Sequence, residues 1–144
     1  MAETVARCLR VLLDVDVVLD VLTKREPFFH DSAALLAACE TGRCEGLVAA
    51  HTVTTIWFLL AKHQDASFAR GRVSDLLRIV GVAPVDDDVI RRALVAGFPD
   101  FEDAVQMAAA LAAAADYVAT RNLADFSRGP VPCLAPAELL ALLA

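Results

Sequence analysis

Lysine is scarce in this chain of 144 residues: Lys24 and Lys62 are the only two, and arginine supplies the rest of the 13 basic side chains. Set against 19 acids they leave a net charge of −6 and a sequence pI near 4.9. That balance argues against broad, charge-driven binding to nucleic acid. It does not exclude a local phosphate site, because arginine makes forked phosphate contacts and a cluster of acids itself lowers the net charge. Metal-binding spacings are missing too. His30, His51 and His63 form no HxxxH pair, and each reads as a surface or capping residue. Cys8, Cys39, Cys44 and Cys133 have neither the close pairs of a zinc site nor the density of a disulfide scaffold. Cys8 and Cys133 lie in apolar, strand-like stretches and are expected in the core. Cys39 and Cys44 flank a helix end and are expected nearer the surface.

Long uninterrupted apolar runs are also lacking. Val11 to Leu22 is broken by Asp14, Asp16 and Asp20, so it cannot cross lipid without burying charge. Ala104 to Ala115 falls short of the roughly 20 residues that a span requires. Glu3 and Arg7 have no long apolar core behind them, so neither a signal peptide nor a membrane association is expected, and the chain reads as cytoplasmic. What is abundant is hydrophobic side chain, 58% of the whole, with a mean hydropathy of +0.55. A dense interior or an apolar partner surface follows.

No linker, repeat or low-complexity segment divides the sequence, and residues 1–144 read as one domain. Leu9 to Asp14 suits a buried strand that ends on an acid. Val17 to Thr23 starts a helix, Asp31-Ser32 caps another over Ala33 to Glu40, and Gly42 stops it. Gly46 to Ala50 is a second strand, followed by helices over Thr52 to Lys62 and Phe68 to Val80. Val82 to Val85 is a third strand, and Asp86 to Asp88 cap a helix that runs to about Ala96. Asp100-Phe101-Glu102-Asp103 leads into an alanine-rich helix over Ala104 to Ala115. Asp116 to Thr120 is a fourth strand, Val131 to Leu134 a fifth, and Pro136 opens a terminal helix. Strands alternating with helices predict parallel crossovers, hence a three-layer α/β/α fold around a mainly parallel sheet of four or five strands.

Ligands of such sheets gather beyond the carboxyl ends of the strands. Asp14 stands at one such end and Thr120 to Asp125 follows another, while Asp100 and Asp103 open the helix that feeds the second. Asp14, Asp103, Asn122 and Asp125 can therefore meet. Carboxylates about 4 Å apart repel by roughly 4 kcal/mol at an effective dielectric near 20, so such a cluster calls for protonation or a cation. Oxygen donors alone suit Mg²⁺ or Mn²⁺. A plainer reading stands beside this one: Asp100 and Asp103 form a capping box, Asp125 caps a turn, and Arg121 is a solvated loop charge. Asp14 resists it, because an ionisable group that closes a buried run needs a partner.

The order of these segments carries a resemblance. Val11-Leu12-Leu13-Asp14-Val15-Asp16-Val17-Val18-Leu19-Asp20 resembles the opening of PIN-domain proteins, an apolar strand and then Asp-Thr-Asn-Val. Asp100-Phe101-Glu102-Asp103-Ala104 and Asp116-Tyr117-Val118-Ala119-Thr120-Arg121-Asn122, with Asp125-Phe126, are similar to that family's later acidic motifs, and the likeness runs from about Val11 to Leu140. It implies a PIN-like fold and a Mg²⁺- or Mn²⁺-dependent ribonuclease, often the VapC-like toxin of a toxin–antitoxin pair. Asp14 matches the family's first acid, Asp103 the acid opening the late helix, Asn122 a position of Asp or Asn, Asp125 the acid beyond it, and Thr120 a hydroxyl at the strand's end. Asp14, Asp103 and Asp125 are then the expected catalytic acids. Asp14, Asp103, Asn122 and Asp125 are the expected metal ligands, with Asp16, Asp100 and Thr120 in support and Arg121 as a phosphate contact.

Two positions depart from the pattern. Asp-Thr-Asn reads Asp14-Val15-Asp16, and the second acid falls at Thr55, which supplies no charge; Asp16, Asp100 or Glu102 would have to compensate. A binding module on the same fold is thus an alternative. So is a phosphatase resembling the haloacid dehalogenase family, from Asp14-x-Asp16, although Lys62 is the only later lysine available to it. RNA as substrate, an antitoxin helix in an apolar groove and a homodimer are the expected partners, with Trp57, Phe58, Leu59 and Leu60 as candidate contacts.

Overall fold

Parallel β-strands need crossover helices, and the chain supplies one or two between each successive pair. In a computed structural model of the protein, residues 8–127 and 129–143 are described. Glu3 and Arg7, on which the leader reading rests, lie outside the described residues. The order is β1 (Arg10–Leu13), α1 (Val15–Leu22), α2 (Phe29–Glu40), β2 (Glu45–Ala49), α3 (Ala50–His63), α4 (Ala66–Leu77) and β3 (Gly81–Ala83), then α5 (Asp87–Val95), α6 (Phe101–Ala112), β4 (Tyr117–Ala119), α7 (Leu123–Phe126), β5 (Cys133–Leu134) and α8 (Pro136–Leu143). The five strands form one sheet in the order β3-β2-β1-β4-β5, with every pairing parallel. The expected layered fold is what forms. Among the described residues no helix is long and apolar enough to cross a membrane.

The sheet is covered on both faces, as a parallel sheet requires. Val11 and Leu13 of β1 point into one core with residues of α1 to α4 and α8. Leu12, between them, points into the other, built largely on α5 and α6. That alternation explains why β1 reads as continuous hydrophobicity. The alanines of α6, with Ala109 and Ala110 wholly buried, let this helix lie close against the sheet. It ends before the expected Ala115, because Ala114 turns into the left-handed region at φ 57°.

Several local expectations are corrected. Asp31 and Ser32 do not cap α2. The helix begins at Phe29, and the buried Ser32 hydroxyl donates to Asp20 at 3.4 Å instead. The helix α7 was not foreseen. The cysteines are placed in the reverse of expectation: Cys8 is exposed and Cys133 partly exposed, whereas Cys39 and Cys44 are buried with sulfurs 3.5 Å apart. Gly46 makes that burial possible, since a Cβ there would stand 2.7 Å from the Cys39 sulfur. The run Trp57 to Leu60 splits by helical phase, with Leu60 buried and Phe58 61% exposed.

Candidate active site

Asp14 directly follows the central strand, and the ladder to β4 carries on into it: its N–H donates to the Ala119 carbonyl at 2.9 Å. Its backbone caps α1, but its carboxyl makes no capping bond. Both carboxyl oxygens are instead claimed by distant residues. Thr120 Oγ1 donates to Oδ2 at 2.8 Å, and Gln106 Nε2 donates to Oδ1 at 3.0 Å. All three side chains are buried. Burial pushes the Asp14 proton affinity up, the two hydrogen bonds oppose that, and the Asp16 charge adds to it. The partner that a buried acid requires is therefore a hydroxyl and an amide, not a basic group.

Strand order places this group at a switch point. From β1 the chain passes to β2 on one side, while β4 pairs on the other, so the loops beyond β1 and β4 diverge and leave a crevice. The first turn of α6 completes it. Asp100 caps that helix, accepting the Asp103 N–H at 3.1 Å. Asp103 stands one turn before Gln106 on the same helix face, which brings it beside Asp14. The Asp103 carboxyl is held up to about pH 7, first by burial and then by the charges of Asp100, Asp14, Asp125 and Glu102. Burial and the charges of Asp100 and Asp16 also raise Glu102.

On the β4 side, the Thr120 hydroxyl that serves Asp14 also accepts the Asn122 N–H at 2.9 Å, and the Asn122 amide donates to Asp16 at 3.0 Å. Asp125 sits exposed on α7. Asp14, Asp16, Asp100, Asp103, Thr120, Asn122 and Asp125 thus share one end of the sheet. Arg121 is different. Its guanidinium donates to the fully buried Asp20 at 2.8 and 3.1 Å and lies 3.9 Å over the Phe28 ring, so the charge and the Nε edge expected for phosphate are already committed to a carboxylate.

Thr55 carries no charge, and its hydroxyl donates to the His51 carbonyl at 3.2 Å. Gln106 and His51 were missed by sequence reasoning. Gln106 had a visible sign, as the one polar side chain inside an alanine-rich helix. His51 Nε2 lies 3.3 Å from the Glu102 carbonyl. Because a carbonyl only accepts, that nitrogen carries the proton, and burial disfavours a second one. His51 Nδ1, Thr52 Oγ1 and Gln106 Oε1 are buried with no partner among the described residues. No sequence pattern marks His51.

The donor set consists of carboxyl, amide and hydroxyl oxygens, which suits a hard divalent cation. Burial, with the neighbouring acids adding to it, keeps Asp103 protonated to about pH 7, and a bound cation would offset both. Among the described residues no three His, Cys, Asp or Glu side chains are already grouped tightly enough to hold a metal.

The PIN-domain family model matches residues 10–124. No curated protein sequence matches the chain. Among solved structures, VapBC2 from Rickettsia felis, bound to a DNA fragment from its promoter, superposes with a TM-score of 0.69 at 12% identity, covering 88% of this chain and 98% of that one. Mycobacterium tuberculosis VapC20, a toxin that cleaves the sarcin–ricin loop, gives 0.61 at 16% identity, covering 75% and 86%. FitAB bound to a DNA fragment gives 0.65 at 21% identity, covering 88% and 94%. At these identities the structural likeness speaks to the fold, and it agrees with the family match, which spans well over half the sequence. The chain belongs to the PIN-domain family.

Proposed function

We propose that this protein is a Mg²⁺- or Mn²⁺-dependent ribonuclease and the toxin of a toxin–antitoxin pair. One observation carries the reading: Asp14, Asp103 and Asp125 come from three separate segments, yet the charges of Asp14 and Asp125 both act on Asp103. Asp14 and Asp103 would hold the cation, and Asn122 and Asp125 would complete the site directly or through water. Thr120 and Gln106 fix the Asp14 carboxyl in one orientation. Bound there, a divalent ion would acidify an attacking water and offset charge on the phosphate. Asp100 and Asp16 act on this site through charge, and Asp100 also sets the first turn of α6.

The solved relatives support the wider reading. VapC20 is named as a toxin that cleaves the sarcin–ricin loop, and VapBC2 and FitAB share the same fold. Leu94 and Val95 of α5, 67% and 85% exposed, give a homodimer or an antitoxin helix apolar area to cover. Thr55, where the family carries its second acid, favours one rival, a weakened member that binds RNA or protein without cutting. Nothing in the site favours the phosphatase, whose later lysine would be Lys62 in the last turn of α3.

Cation binding tests the proposal independently of turnover. Folded and metal-free, the protein keeps a proton on Asp103 to about pH 7, against 3.8 for a free aspartate. Folding therefore takes up a proton between those values, and stability falls as the pH climbs from about 4 to 7. A cation needs the ionised acid, so its binding strengthens across the same interval. Thermal unfolding is expected to show a larger Mn²⁺-induced rise in Tm at pH 8 than at pH 6. No rise at either pH, with millimolar Mn²⁺, would favour the non-cutting rival. Gln106→Leu removes one of the two donors to Asp14 and is expected to weaken Mn²⁺ binding by roughly 10- to 100-fold in a calorimetric titration. Unchanged affinity would place the ion away from Asp14.

A further inference from the structure

A cavity of about 260 Å³ is walled in part by Phe28, Asp31, Arg121 and Pro136, and hydrolysis makes no use of it. Its floor is unusually well fixed. The Arg121 guanidinium is clamped by two hydrogen bonds to Asp20 and stacked on Phe28 at 3.9 Å. With its charge matched by Asp20 and its Nε and one Nη2 N–H engaged, it still has a flat face to offer. Chain continuity links that face to the candidate site: Thr120, one residue before, holds Asp14, and Asn122, one residue after, holds Asp16. Asp31 stands exposed at the rim, and no hydrogen bond or ion pair with the described residues engages it.

We infer that this cavity is a nucleobase subsite that reads guanine in single-stranded RNA, with Arg121 and Phe28 as the stacking platform and Asp31 as the reader. The inference rests on the ribonuclease reading for its polymer substrate, and on the cavity alone for the base. Planar bases stack on aromatic rings and on guanidinium planes. The volume lies below the roughly 300–1,000 Å³ of pockets that enclose whole drug-sized ligands, and suits one base. A phosphate is disfavoured, since Asp20 already neutralises Arg121 and Asp31 would repel it. A carboxylate presents two acceptors side by side, and guanine alone offers two adjacent donors, N1–H and the 2-amino group. Adenine and cytosine set a bare ring nitrogen beside their amine, and its lone pair would face the carboxylate. Uracil has a single N–H between two carbonyls.

Free nucleosides test this, because they carry no phosphate and cannot be cut. Calorimetric titration of the wild-type protein in chelator is expected to show guanosine binding, with inosine (which lacks the 2-amino group) and adenosine weaker by roughly tenfold or more. Asp31→Asn is expected to erase the difference, and Phe28→Leu to weaken all three. No guanosine binding, equal binding of the three nucleosides, or a preference that survives Asp31→Asn would each overturn the subsite, even if the protein cleaves RNA. Guanosine binding in a protein that never cleaves RNA would uphold the subsite and remove the ribonuclease reading.

Discussion

Asp14→Asn is expected to lower Mn²⁺-dependent RNA cleavage by roughly 10³-fold or more, about 4 kcal/mol of transition-state stabilisation. An amide keeps the size of the side chain and one oxygen but loses the charge that a cation needs. Stability is expected to move in the opposite direction. Asp14 is buried and its charged form is penalised there, so neutralising it relieves part of the crowding and the metal-free protein unfolds no earlier than wild type. The measurement is cleavage of a labelled RNA with Mn²⁺ and with chelator, beside thermal unfolding of the same preparations. Equal cleavage by wild type and variant, in the presence and absence of chelator, would sink the site.

Arg121→Ala is expected to destabilise the fold by about 3–5 kcal/mol, because it strands a buried charge. Asp20 is fully buried, and its other neighbours are weak substitutes: Ser32 at 3.4 Å and Arg25 at 3.9 Å. At about 3 °C per kcal/mol for a domain of this size, Tm falls by about 9–15 °C. Removing both partners together, as Asp20→Leu with Arg121→Met, is expected to restore much of the loss, since a buried pair is often replaceable by apolar side chains. This separates structure from substrate contact. A single variant with an unchanged Tm and lost RNA affinity would make Arg121 the phosphate ligand that its position in the chain first suggested.

The layered architecture was legible because it is written in local patterns. Apolar runs that end on Asp14 and Thr120, separated by helical stretches, admit few arrangements, and the handedness of parallel crossovers prunes those. Asp100 was legible as a cap because capping is a local act. Cys39 and Cys44 were misplaced for the opposite reason: their burial depends on a glycine in a neighbouring strand and on the approach of α2 to β2, contacts that no window of sequence contains. Arg121 shows the same limit in the candidate site. Its position beside Asn122 invites a phosphate, but its real partner is Asp20, 101 residues away. Gln106 and His51 act through single long-range bonds, and only the assembled sheet brings those ends together.

Asp14 and Thr120, joined by one hydrogen bond, are 106 residues apart in the chain. During synthesis the central strand emerges long before the hydroxyl that steadies its terminal acid. Until β4 pairs, β1 has an open flank and the crevice has only one wall. A chain that stops short of β4 therefore has no assembled acid cluster, and whatever this protein does with those carboxylates waits until that strand has been made.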